Sequence, residues 1–91
     1  MMNTSKYTAD THFSALAEVE DFCHYIIVER SIFFHPEDKF NPDTDNISQE
    51  EADIWNRLID ECNDICSANG SDIYDIIIPL TLYAGNAKLN R

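Results

Sequence analysis

Apolar residues recur at a helical period most clearly between Ser48 and Gly70, where every third or fourth position is hydrophobic. This spacing predicts a helix with one wide buried face. Ser48 and Glu51 fit a capping box at its start, and Gly70 suits the left-handed conformation at its end. The apolar positions of this stripe are Ile54, Trp55, Leu58, Ile59, Cys62, Ile65 and Cys66.

Two further stretches carry weaker apolar patterns. Thr11–Glu29 predicts a first helix, and Ile73–Tyr83 predicts a third element in which Ile73, Ile76, Ile77, Leu80 and Tyr83 fit helical spacing. The isoleucine run also fits a strand, and Pro79 interrupts either structure. We therefore predict an all-α fold, a small three-helix domain, with an α+β fold containing Ile73–Tyr83 as a strand as the alternative.

A long aromatic and acidic loop, Arg30–Ile47, connects the first two predicted helices. Pro36 and Pro42 stand where turns favour proline. Its apolar side chains predict that the loop packs across the end of the core. Residues 1–11 are expected to form a disordered arm, residues 12–84 a single helical domain, and residues 85–91 a polar tail.

Charge narrows the possible partners. The chain has 17 acidic and 6 basic residues and a net charge of −11. From Glu18 to Asp75, 16 acidic residues stand against 3 basic ones, a local balance of −13. Because nucleic acids and anionic membranes attract lysine and arginine, we expect neither direct nucleic-acid binding nor membrane binding. The chain shows no secretory segment and has three cysteines, so we expect a cytoplasmic protein with reduced thiols.

Metal binding is the first chemistry that the residues suggest. In the loop Asn41–Glu51, oxygen-bearing side chains alternate as in a calcium loop, but Ala52 occupies the position of the bidentate glutamate. Cys62 and Cys66 share one helix face without the spacing of a zinc knuckle, and core packing explains them better. A metal-binding domain that uses the Asn41–Glu51 loop or the cysteines therefore stays an alternative function.

Catalytic motifs are lacking in the sequence. Neither a phosphate-cradling glycine loop nor a grouping of nucleophile, base and oxyanion donor can be written from these residues. We therefore predict that the protein is not an enzyme and needs no cofactor.

Three segments carry a resemblance to a known group of proteins. HPEDKF at 35–40, SQEEADIWNRLIDECNDIC at 48–66 and NG-x-DIYDI at 69–76 resemble small uncharacterised acidic proteins of gut bacteria. The similarity covers about Phe34 to Ile76. It implies a bacterial, cytoplasmic origin, and it brings no catalytic residues because that group has no known activity.

The leading functional hypothesis is a small acidic module that binds another protein or a second copy of itself. Exposed aromatic side chains would anchor such a contact, because aromatic residues dominate interface cores. The candidates are Phe33, Phe34, Trp55 and Tyr74.

Acidic side chains on the helix at Ser48–Gly70 would supply the charged part of that surface. The candidates are Asp60, Glu61 and Asp64. The alternative from another class is a nucleic-acid mimic, in which rows of carboxylates imitate phosphates and block a basic nucleic-acid-binding protein.

Overall fold

The computed structural model describes residues 6–89, with side chains up to residue 86. Within that part of the chain all regular structure is helical, so the predicted all-α class is confirmed. Three long helices and one short helix are present. They are α1 (Leu16–His24, continued by a π-helical turn at Tyr25–Glu29), α2 (Pro42–Asp45), α3 (Gln49–Ala68) and α4 (Tyr74–Leu89).

Helix α3 forms as its sequence pattern predicts. The Ser48 hydroxyl accepts the backbone N–H of Glu51 at 3.0 Å and so caps the first turn. The chain leaves the helix after Asn69, and Gly70 takes a left-handed φ of 70°. The buried side chains of α3 are Ala52, Ile54, Trp55, Leu58, Ile59, Cys62 and Cys66.

The two glycines allow a matched test of this chain reversal. We expect Gly70→Ala to lower the free energy of unfolding by about 1 kcal/mol, because φ is positive there and a Cβ would meet no atom within 4 Å. Gly85→Ala, inside α4 and equally uncrowded, should raise it by about 0.5–1 kcal/mol. Urea unfolding measures both. A stabilising Gly70→Ala would contradict the left-handed turn.

Thr11 and Ser14 are both residues that favour a helix cap in the predicted segment Thr11–Glu29, and α1 starts close to Ser14. The carboxylate of Glu18 accepts the backbone N–H groups of Ser14 at 2.6 Å and Ala15 at 3.1 Å, so the helix begins at Leu16. These hydrogen bonds, led by that of Ser14, lower the pKa of Glu18.

The β-branched end of α1 stays helical. It widens into the π-helical turn and stops at Arg30, and Ser31 then adopts a left-handed φ of 57°. This turn directs Tyr25, Ile26 and Ile27 into the core.

The α+β alternative is wrong, because all but the first residue of Ile73–Tyr83 lies in α4. The helix runs through Pro79, which has no N–H to donate to the carbonyl of Asp75. Both residues are exposed, so water can satisfy that carbonyl.

The predictions for the two ends of the chain differ from the structure in the residues that it describes. Residues 1–5 lie outside the described part, but Tyr7 is buried and packs edge-on against Phe22, with ring centroids 5.1 Å apart. The prediction of a disordered arm is therefore wrong at Tyr7. The predicted polar tail, residues 85–91, overlaps α4, which continues to Leu89.

The loop between α1 and α3 packs on the core, as its aromatic content predicts. Phe40 is buried and meets Trp55 edge-on at 5.2 Å between ring centroids. The Asn56 side chain accepts the backbone N–H of Phe40 at 2.7 Å, which ties the loop to α3. The short helix α2 begins at its own cap, where Asn41 Oδ1 accepts the N–H of Asp43 at 2.9 Å.

Candidate interaction surface

Helix α4 carries apolar side chains on two opposite sides. Ile77 and Ala84 are buried on the inner side, together with Ile73 just before the helix. A helix that is apolar all round is normally covered all round. On the outer side large apolar side chains face solvent on successive turns, with exposed fractions of 54% for Ile78, 63% for Leu82 and 60% for Tyr83.

Phe33 extends this exposed surface from the loop before α2. Its side chain is 47% exposed, and it lines a cavity of about 260 Å³ together with Ile78 and Leu82. Tyr83 does not line this cavity, but it is exposed on the same helix one residue after Leu82. Exposed apolar groups on a small domain often mark a contact surface. We call Phe33, Ile78, Leu82 and Tyr83 the α4 patch.

A second groove runs along the other flank of α4, between that helix and α1. It encloses about 360 Å³. Carboxylates of α1 and α4 line it beside apolar side chains of α4, and His24 is the only basic residue among them. We call it the acidic groove. Its lining residues are Glu20, Asp21, His24, Asp75, Ile76, Pro79 and Leu80.

Tyr74 joins the loop to the start of α4. Its hydroxyl donates a hydrogen bond to the carboxylate of Glu37. This bond raises the pKa of Tyr74 to about 12 and lowers that of Glu37. Tyr74 is half-buried and lines the same cavity as Phe33, so it forms a wall of the surface rather than a protruding anchor.

Trp55 is not available as an exposed anchor, and that prediction is wrong. Its side chain is 0% exposed and lies among the rings of Tyr25 and Phe40. The Arg30 guanidinium covers it at 5.1 Å from the ring centroid. Phe34 is half-buried and packs against Phe40, with ring centroids 5.1 Å apart, so of the four aromatic candidates Phe33 is the most exposed.

Glu61 serves an internal role that the sequence did not indicate. Its carboxylate accepts the backbone N–H of Phe13 at 2.9 Å and a hydrogen bond from Arg57 at 2.6 Å, and it lies 3.0 Å from His12 Nδ1. Burial raises the pKa of Glu61, but these contacts outweigh it and lower the pKa. Glu61 therefore fastens the segment before α1 to α3.

Asp60 and Asp64 are exposed on α3, as a charged surface requires. Neither residue lines the cavity beside Phe33 or the acidic groove. The structure thus separates the predicted acidic side chains from the α4 patch and places other carboxylates, Glu20, Asp21 and Asp75, next to α4.

The cysteines are core residues. Cys23, Cys62 and Cys66 are free thiols and buried. Burial raises the pKa of Cys23 to about 12 and also raises the pKa values of Cys62 and Cys66. Because the thiolate is the form that binds metals and attacks electrophiles, this environment opposes both roles.

Two of the oxygen-bearing side chains in the Asn41–Glu51 loop form hydrogen bonds with the backbone of the loop itself. Asn41 Oδ1 caps α2, and Asp45 Oδ2 accepts the N–H of Asn41 at 3.0 Å. Over the residues for which positions are described, no group of three or more His, Cys, Asp or Glu side chains is arranged to hold a metal ion.

Ile78 and Leu82 are contact candidates that the sequence did not single out. Tyr83 fits the helical spacing of the apolar residues before it, but it lies on the outer side of α4, and Ala84 takes the inner position. The sequence feature that could have indicated Ile78 and Leu82 is the long apolar run from Ile76 to Tyr83. Such a run contains more apolar residues than one helix face can bury.

Comparisons with protein-family models, with curated protein sequences and with solved structures produced no match to this chain. Of the helices between residues 6 and 89, none combines the length and the apolar character that crossing a membrane requires.

Proposed function

We propose that this chain is a non-catalytic module that binds another protein through the α4 patch. The observation that carries the proposal is the outer side of α4, where Ile78, Leu82 and Tyr83 stay exposed although the helix also fills the core. Full burial of one such side chain contributes about 1.5–3 kcal/mol relative to exposure. These side chains are about half exposed, so covering each one would contribute roughly half of that amount toward the free energy of binding.

The placement of Phe33 supports a specific contact rather than non-specific hydrophobic association. Phe33 comes from the loop and Ile78 and Leu82 from α4, yet they line one cavity, and the Tyr74–Glu37 hydrogen bond ties the two elements together. A surface that is held in place before binding loses little conformational entropy on association.

A non-catalytic role is consistent with the nucleophiles of the chain. The three thiols lie in the core with raised pKa values, and the candidate aromatic residues offer packing rather than chemistry. The bacterial, cytoplasmic setting that the resemblance implies stays a prediction.

Site-specific photocrosslinking tests the proposed function. We expect a photoreactive phenylalanine analogue at Tyr83 to form a covalent adduct with another protein in cells that produce this chain naturally. The same analogue at Asp64, which is exposed on α3 away from the patch, should form none. Circular dichroism confirms that both variants are folded. A folded Tyr83 variant without any adduct would overturn the proposal.

A further inference from the structure

We infer that the occupant of the α4 patch is an amphipathic helix of another protein, with lysine or arginine residues bordering its apolar stripe. This inference rests on the proposed function and names the class of partner. It draws on the shape of the surface around α4 and on the charges beside it.

The shape fits a helix. α4 forms a ridge with a groove on each flank, one of about 260 Å³ beside Phe33 and one of about 360 Å³ beside α1. Helices pack ridge into groove with their axes about 8–10 Å apart. α4 has 16 residues, so a partner helix of about four turns would match its length of roughly 24 Å.

Packing inside the domain points the same way. α4 contacts α1 and the π-helical turn with its inner side, whereas Ile78, Leu82 and Tyr83 on its outer side stay exposed. One additional helix on that side would give α4 the two-sided cover that an apolar helix requires. Ile78, Leu82 and Tyr83 are exposed over nearly two turns of α4, and a helix lying along α4 would cover them together.

The charge pattern sets the chemistry of the partner. Glu20, Asp21 and Asp75 are exposed carboxylates on the acidic groove, directly beside the outer side of α4. Basic residues along the edge of a docking helix would meet them, since complementary charges at an interface rim speed association and fix its orientation. Apolar contact with the patch and charge contact with the groove would act together.

The same pattern argues against a second copy of this chain. A two-fold interface pairs identical surfaces, and centring one on α4 would bring two acidic grooves close together. Each copy carries a net charge of −11, so the contact would add repulsion between like charges. A basic helix from another protein avoids that repulsion.

A synthetic helix provides the probe. A labelled peptide of about 16 residues, with a leucine stripe bordered by lysines, is compared with a peptide that has glutamate in place of every lysine. Fluorescence anisotropy measures binding to the full chain. We expect the lysine peptide to bind at least about tenfold more tightly, with an affinity that falls as salt rises.

Two variants locate the binding surface, and one matched control tests for simple charge attraction. We expect Leu82→Asp to weaken binding of the lysine peptide by about tenfold or more, because it places a charge in the apolar contact. The triple change Glu20→Gln, Asp21→Asn, Asp75→Asn should weaken binding and flatten its salt dependence. Removing three exposed α3 carboxylates by Asp53→Asn, Asp60→Asn, Asp64→Asn should leave binding unchanged.

The contrary outcomes separate this inference from the proposed function. Equal losses from the two triple variants, or tight binding of the glutamate peptide, would overturn the basic helix. So would sedimentation that shows a dimer abolished by Leu82→Asp, which would assign the patch to a second copy. The proposed function itself fails if the crosslinker at Tyr83 captures no protein or captures only a second copy of this chain.

Discussion

Replacing Trp55 with alanine is expected to lower the free energy of unfolding by about 3–5 kcal/mol. The side chain is fully buried, and the rings of Tyr25 and Phe40 pack edge-on against it. Truncation removes its burial energy and leaves a cavity where the loop, α1 and α3 meet. A small domain has about 5–15 kcal/mol of stability in total, so this loss would leave a marginal fold.

Two controls make the Trp55 prediction specific. Trp55→Phe keeps an aromatic ring and removes the indole N–H, for which the described chain provides no hydrogen-bond acceptor, so its loss should be below about 2 kcal/mol. Leu82→Ala, on the exposed side of α4, should change stability by less than about 0.5 kcal/mol. Urea unfolding at one pH measures all three. A Trp55→Ala loss no larger than that of Leu82→Ala would contradict the central position of the tryptophan.

Replacing Arg30 with methionine is expected to lower the free energy of unfolding by about 2 kcal/mol. The guanidinium donates to Glu51 at 2.9 and 3.4 Å and to the Tyr25 hydroxyl at 3.1 Å. It also lies over the Trp55 ring. The hydrogen bond to Glu51 raises the pKa of Arg30 above its usual range. Both ends of the ion pair are largely shielded from water, so its worth exceeds that of a surface pair.

Arg30→Lys and a double-mutant cycle with Glu51→Gln test this role. Lysine keeps the charge but lacks the planar fork that reaches Glu51 twice and stacks on the indole, so it should restore less than half of the loss. The cycle should give a coupling energy of about 1 kcal/mol or more between Arg30 and Glu51. If Arg30→Lys had the stability of the unmodified protein and the coupling energy between Arg30 and Glu51 were zero, the contact would contribute no more than an exposed ion pair.

Local signals were sufficient for much of the fold. The Ser48 cap, the three-and-four spacing of apolar residues and Gly70 together specify α3, because each acts within a few residues along the chain. The same spacing identified α1, although its first turn depends on the Glu18 carboxylate. Long-range packing decided the rest: Tyr7 is buried because Phe22 and Tyr25 lie opposite it, and no neighbouring residue signals that contact.

For the candidate site too, some residues could be identified from local sequence and others depended on long-range packing. Phe33 and Tyr74 could be named in advance because aromatic residues in a loop or at a helix start are typical contact residues. Trp55 was assigned to the surface incorrectly, since a periodic stripe shows which residues share a face but not how much the loop covers.

Helix α4 shows where information in the sequence ends. Apart from Thr81, the residues from Ile76 to Tyr83 are apolar. Periodicity therefore could not distinguish a helix from a strand, or the inner side of the helix from its outer side. The sequence established the helical class, the α3 spine and the acidic charge, because these follow from composition and short-range pattern. The exposure of Ile78, Leu82 and Tyr83 depends on which side of α4 meets α1, and that is a property of packing between distant segments.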